Sequence, residues 1–152
     1  MTPSKHAEAL IQNAEGYSSK AYLCPAGKWT IGWGHTKGVK SGDVCSKELA
    51  LIYLQEDLKE AARIVEQYVK VPLNQNQFDA LCSFAFNVRP NLFRISTLLK
   101  KLNAGDYLGA ANQFQRWIYG GDQNGDKKIT KADALPGLIK RRAAERSLFL
   151  SD

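Results

Sequence analysis

The sequence predicts an α+β protein: a small sheet-bearing lobe, a long connecting helix and a larger helical lobe, within one domain of 152 residues. Three observations carry that expectation. Residues 17–36 gather the strand formers Tyr22, Trp29, Thr30, Ile31 and Trp33 around the turn chemistry of Pro25-Ala26-Gly27. Residues 47–70 can run unbroken as one helix of ~35 Å at the α-helical rise, longer than a small lobe requires. Beyond residue 71 the apolar residues recur mostly at helical spacing, with one long polar interruption over 119–135.

In chain order, Thr2-Pro3 reads as an N-cap followed by proline in the first turn. Ala7, Leu10, Ile11 and Ala14 then recur at helical spacing, so a helix is expected over 3–14. Glu15 falls in its last turn, where the helix dipole disfavours negative charge and favours a protonated carboxyl. Gly16 is the expected C-cap. The sheet-bearing lobe occupies about 15–46. Ser46 then caps the connecting helix, about 47–70, with Leu49, Ile52, Tyr53, Ala61, Ala62, Val65 and Tyr68 as apolar positions and Val71-Pro72 as its stop.

The helical lobe is expected over about 71–152, packed with the first helix. Asn74 caps a segment with Phe78, Leu81, Cys82, Ala85 and Phe86 on one face, ending near Val88-Arg89-Pro90. Helices over 95–102 and 107–118 follow, separated by Asn103-Ala104-Gly105-Asp106. Pro136 opens the last helix, through Leu138, Ile139, Ala143 and Leu148.

Hydrophobic content of 44% and charged content of 24% belong to the ordinary soluble range. The net charge of +6 suits a polyanionic partner, whether nucleic acid, acidic wall polymer or anionic lipid, and suits plain solubility equally. No apolar run approaches the roughly 20 residues that span a bilayer. Met1-Thr2-Pro3-Ser4-Lys5-His6 is polar and lacks a signal-peptide core, so the expectation is synthesis as a soluble cytoplasmic protein. Cys24, Cys45 and Cys82 are an odd number without metal-ligand spacing, which argues against a disulfide framework and leaves one bridge, such as Cys24–Cys45, open.

Glycosidic hydrolysis needs a proton for the leaving oxygen and a nucleophile or activated water at the anomeric carbon. A carboxyl near apolar groups or a helix C-terminus serves as the donor. Glu15 meets both conditions, with Tyr17, Tyr22 and Trp29 close enough in sequence to shape a cleft; locally it could equally be a surface acid at a helix end.

Glu15, Cys24 and Thr30, followed by Ile31-Gly32-Trp33-Gly34-His35, resemble the catalytic segment of the phage-type lysozymes (glycoside hydrolase family 24). Gln77-Phe78-Asp79-Ala80-Leu81, Ser83-Phe84-Ala85-Phe86-Asn87-Val88, Ser96-Thr97-Leu98-Leu99, Asn103-Ala104-Gly105-Asp106-Tyr107, Trp117 and Gly137-Leu138-Ile139-Lys140-Arg141-Arg142-Ala143-Ala144-Glu145 are similar to that family's helical-lobe signature. Arg89 stands where many relatives have glycine, so the end of that helix is expected to be shaped differently.

The resemblance implies that Glu15 is the general acid and that Thr30 helps hold the attacking water. Cys24 occupies the position usually held by Asp. A thiol with pKa near 8.5 is only a few per cent thiolate at neutral pH and a poor general base. Positioning water, acting as base and forming a covalent thioglycoside all stay open for it. Gly32, His35, Asn87 and Val88 are implied substrate-side residues, with His35 read as structural and paired with Asp57. Trp29, Trp33 and Trp117 read as core more than as sugar platforms, and Cys45 and Cys82 as packing.

Residues 122–133 follow the plan of an EF-hand loop. Asp122, Asn124, Asp126, Thr130 and Asp133 supply side-chain oxygens at positions 1, 3, 5, 9 and 12, and Lys128 at position 7 can offer its carbonyl. Lys127 replaces the usual glycine at position 6, and Asp133 is shorter than the usual Glu. A structural Ca²⁺ is expected there, against an ordinary polar turn.

The function expected is that of an endolysin cutting the β-1,4 bond between N-acetylmuramic acid and N-acetylglucosamine in bacterial peptidoglycan. No catalytic cofactor or nucleic-acid partner is implied. The resemblance also implies a monomer held in the host cytoplasm until a holin-type membrane protein lets it reach the wall. The rival is a non-catalytic, calcium-regulated glycan-binding protein on the same fold, prompted by Cys24 in place of a carboxylate.

Overall fold

The computed structural model describes residues 1–24, 27–119 and 135–152. Residues 122–133, where the calcium loop is expected, and the Pro25-Ala26 turn lie outside the described residues.

Helix α1 spans Lys5–Glu15 and is capped by Ser4, two residues later than the sequence suggested. The reason is tertiary. Asp79 is fully buried on a later helix, and it accepts the Ser4 N–H at 2.9 Å, the Ser4 hydroxyl, and Gln75 Nε2 at 2.9 Å. Ser4 Oγ in turn accepts the His6 N–H at 3.2 Å, so one residue both caps the helix and supplies hydrogen bonds to a buried acceptor.

Strands β1 (Ser18–Leu23) and β2 (Trp29–Gly32) form a two-stranded antiparallel sheet, with Tyr22 opposite Thr30 and Ser18 opposite Gly32. Isolated bridges tie Lys20 to Val44 and Ile31 to His35. Helix α2, Lys47–Tyr68, begins at Ser46, whose Oγ accepts the Leu49 N–H at 3.1 Å, as expected. It stops at the Val69 C-cap, just short of Val71-Pro72. Its buried face is Ala50, Leu54, Leu58, Ala61, Ala62 and Val65. The N-terminal half is thus rotated from the expected phase, and Ile52 is half exposed. Contact with β2 at one end of α2 and with the next helix along it fixes that rotation.

Helix α3, Gln75–Val88, carries a capping box between Asn74 and Gln77. Residues 78–85 are all buried, so α3 is the axis of the core. Phe84 at its centre meets Phe93, Phe114 and Trp117 edge to face, at 6.1, 5.3 and 5.6 Å between ring centroids.

Arg89 joins α3 to α4 (Pro90–Ile95), a short helix that the sequence did not announce. Its φ of 74° and ψ of 158° put a residue with a Cβ in backbone space that glycine adopts freely. Ser96 then caps α5, Thr97–Asn103, through the Leu99 N–H. Helix α6, Tyr107–Gln113, gives way to a 3₁₀ turn over Phe114–Arg116, ending earlier than residue 118. The tighter turn accompanies the burial of Phe114 and the packing of Trp117 on Phe84.

The last helix, α7, spans Pro136–Leu150 and departs most from the sequence expectation. Ile139 and Ala143 are exposed, and the buried positions are Arg141, Arg142, Glu145 and Phe149. The helix turns a charged cluster inward. Among the described residues no helix is long and apolar enough to cross a membrane. Cys45 and Cys82 are free thiols, so the Cys24–Cys45 bridge is not formed.

Candidate active site

Glu15 is the final residue of α1, and Gly16 ends the helix at φ 67° by donating its N–H to Gln12 O at 3.0 Å. The Glu15 side chain is 23% exposed and therefore reachable. Arg141 of α7, buried behind it, donates from Nη1 to Glu15 Oε1 at 2.8 Å. On another side lies the bare Cα of Gly34: a Cβ there would meet Glu15 Cδ at 2.8 Å and Oε2 at 2.9 Å. The carboxyl is thus fixed by a cation and by a backbone that only glycine allows. Arg141 engages Oε1, and Oε2 lies on the side of Gly34.

The hairpin faces this carboxyl. Burial pushes the Tyr22 phenol of β1 above its ordinary range, and the nearby Glu15 carboxyl and Cys24 thiol push it further the same way. These three groups share one neighbourhood. The carbonyl of Lys28 draws the other two candidates together, accepting the Cys24 N–H at 2.9 Å and the Thr30 hydroxyl at 3.0 Å. Cys24 is half-buried, and Thr30 is buried opposite Tyr22 in the ladder. Glu15 thus stands at a helix end, and Cys24 and Thr30 on the two sides of one turn.

His35 takes the structural position read from the sequence. Its buried ring meets Asp57 Oδ2 through Nδ1 at 2.8 Å and stacks on Tyr53 at 4.1 Å and 9°. Burial raises the Asp57 carboxyl, and the hydrogen bond from His35 opposes that shift. The His35 backbone exchanges two 2.9 Å bonds with Ile31, closing the turn that presents Gly34 to Glu15. Gly32, at φ 64°, allows β2 to approach α2: a Cβ would stand 3.0 Å from Ala50 Cβ. Asn87 is half-buried and Val88 buried at the end of α3. Trp33 packs against the core and tilts on Tyr17 at 5.3 Å, and Trp117 also lies on the core.

Arg141 and Gly34 had no assigned role in the sequence reading. Arg141 sits 126 residues from Glu15, beyond any local pattern, and Gly34 was one of several glycines in its stretch. The available signal was the Arg141-Arg142 pair in a helix otherwise read as apolar.

A reachable carboxyl at a helix end, held by a buried guanidinium and facing a hairpin with a thiol and a threonine, defines a glycoside hydrolase of the lysozyme type. The family profile for phage lysozyme matches residues 12–145. The endolysin of Acyrthosiphon pisum secondary endosymbiont phage 1 is 48% identical over 142 residues, 93% of each chain. The endolysin of Salmonella phage P22 is 38% identical over 156 aligned positions, 99% of each. Among solved structures, the muramidase domain of SpmX from Asticaccaulis excentricus superposes with a TM-score of 0.89 at 36% identity, covering 98% of this chain and 97% of that one. The chain belongs to the phage lysozyme family.

Proposed function

We propose that the protein is an endolysin, a muramidase that hydrolyses the β-1,4 bond between N-acetylmuramic acid and N-acetylglucosamine in bacterial peptidoglycan and so lyses the host cell. The observation that carries this reading is the carboxyl of Glu15, held by Arg141 and by the close approach of Gly34 while its side chain stays partly exposed. That carboxyl protonates the departing glycosidic oxygen as the bond to the anomeric carbon lengthens. Water held by Thr30 and Cys24 attacks the anomeric carbon and loses its proton to solvent, from which Glu15 regains the one it gave away, and the net charge of +6 attracts the anionic wall.

Cys24 orients that water and faces the developing positive charge; it needs no thiolate for either task. Gly32, His35, Asn87 and Val88 support the walls of the glycan cleft. No cofactor enters the chemistry. The protein acts as a monomer in the periplasm, released from the cytoplasm through a membrane lesion made by a holin-type partner. The segment from Asp122 to Asp133 binds Ca²⁺ as a structural ion through Asp122, Asn124, Asp126, the Lys128 carbonyl, Thr130 and Asp133.

The decisive test is Glu15→Gln in a turbidity assay on permeabilised Gram-negative cells. Turnover should fall by about two to four orders of magnitude while the protein stays folded and still binds wall. A folded Glu15→Gln variant that lyses at the normal rate overturns the assignment.

A further inference from the structure

Glu145 on α7 is completely buried, a costly place for a carboxylate. It lies 2.8 Å from Arg142 Nε and 3.4 Å from Arg141 Nε, and accepts the Ser83 hydroxyl of α3 at 2.6 Å. Arg141 in turn donates from Nη2 to the Ser83 carbonyl at 3.2 Å and from Nη1 to Glu15 at 2.8 Å. One guanidinium therefore runs from a carboxylate in the core to the carboxyl in the cleft. Each of its three nitrogens has a different partner, on α7, α3 and α1. Arg142 is also fully buried, over the Phe84 ring at 5.0 Å, and does not reach the cleft.

We infer that Glu145, with Ser83, is the positioning residue for catalysis: it fixes Arg141, and through Arg141 it sets the direction and charge environment of Glu15. A core helix that needed only packing would present apolar side chains on this face. Instead α7 buries two cations and an anion, and the Arg141 cation shared with Glu145 is the one that touches Glu15. The charges balance only as a set. Glu145 faces Arg141 and Arg142 from its own helix and Ser83 from α3; Glu15 faces Arg141 and, farther off, Arg142 from α7 and Tyr22 from β1. Burial pushes the Glu145 carboxyl up while both guanidiniums pull it back. Burial also lowers Arg142 to about 10, which leaves it charged at neutral pH.

The inference rests on Glu15 being the acid, which Glu15→Gln tests separately. Glu145→Gln keeps shape and removes the anion. Arg141 loses its anchor, and kcat should fall about tenfold or more with KM within about twofold. One positive charge is also left uncompensated beside Glu15. Because an acid catalyst must carry its proton, extra positive charge moves the alkaline limb of the pH–activity profile to lower pH, by about one unit.

The double variant Arg142→Met with Glu145→Gln removes a cation and an anion together, an exchange that buried pairs often tolerate. It should retain the kcat loss while returning the alkaline limb to its wild-type position. Ser83→Ala should lower kcat less, in the same direction. If Glu145→Gln alone fails to fold, the double variant decides. A folded variant of either kind with wild-type kcat and an unshifted profile reduces the cluster to core stability and overturns the inference, whatever Glu15→Gln shows.

Discussion

Gly34 and Glu15 are packed so closely that no other residue fits at position 34 without displacing the carboxyl: the nearest side-chain atom is 2.8 Å from where a Cβ would stand. Gly34→Ala should therefore reduce kcat by about tenfold to a hundredfold. Its left-handed φ of 79° adds a stability cost of about 1–2 kcal/mol. Gly105, at φ 84° with open space where a Cβ would stand, separates the two effects. Gly105→Ala should lose comparable stability in denaturant titration yet keep its lytic rate.

Cys24→Asp should stay active, because a carboxylate can orient water from the same turn. Cys24→Ser should keep part of the activity, since it preserves a small polar group. An inactive Cys24→Ser variant, together with sugar covalently trapped on the wild-type thiol in mass spectra, would instead assign Cys24 as nucleophile.

Arg89 adopts a backbone that costs a residue with a Cβ about 1–3 kcal/mol. Arg89→Gly relieves that strain but loses more chain entropy on folding. The net expectation is about 1 kcal/mol of added stability, a rise of about 2–4 °C in Tm by calorimetry. An unchanged or lower Tm would show that the arginine side chain compensates its own backbone.

Tyr22 gives a pH dependence with a definite sign. Its pKa in the folded protein is raised above 10.0, first by burial and then by Glu15 and Cys24. The folded state thus favours the neutral phenol. Stability from this group is complete below pH 10 and is lost as pH climbs through the raised value. Tyr22→Phe should flatten the decline in stability above pH 10, and the phenol absorbance of the wild type should titrate later than that of the unfolded chain.

Chelation tests the loop. Three carboxylates repel one another when no cation lies among them, and a divalent ion reverses that. At a hundredfold excess over Kd, binding to the folded state alone stabilises by ~2.7 kcal/mol. EDTA should lower Tm and excess Ca²⁺ should restore it, with both responses gone in Asp122→Ala/Asp126→Ala. Calorimetry without binding at millimolar Ca²⁺ would leave a plain turn.

Local signals were legible from sequence, and long-range ones were not. Ser46, Asn74, Gly16 and Pro136 mark their helix ends in the sequence because capping acts within a few residues. Glu15, Cys24 and Thr30 lie within sixteen positions, so their spacing could be read directly. Ser4 displaced Thr2 as the first cap because Asp79, 75 residues away, needed its hydroxyl. Ile52 was assigned to the apolar set since nothing local says which face of α2 meets the sheet. Arg141 and Glu145 escaped because inward-facing charges contradict the usual rule for a buried helix face, and their partners lie on α1 and α3.

The 126-residue span between Glu15 and Arg141 also orders events in time. Glu15 leaves the ribosome well before its guanidinium, which arrives with α7. Until that helix docks, the carboxyl has neither its anchor nor the charge set behind it, and such a non-local contact closes slowly compared with the helices themselves. Synthesis and folding thus complete the surroundings of Glu15 only once α7 has been made, and a product cut short before α7 would lack the guanidinium behind that carboxyl.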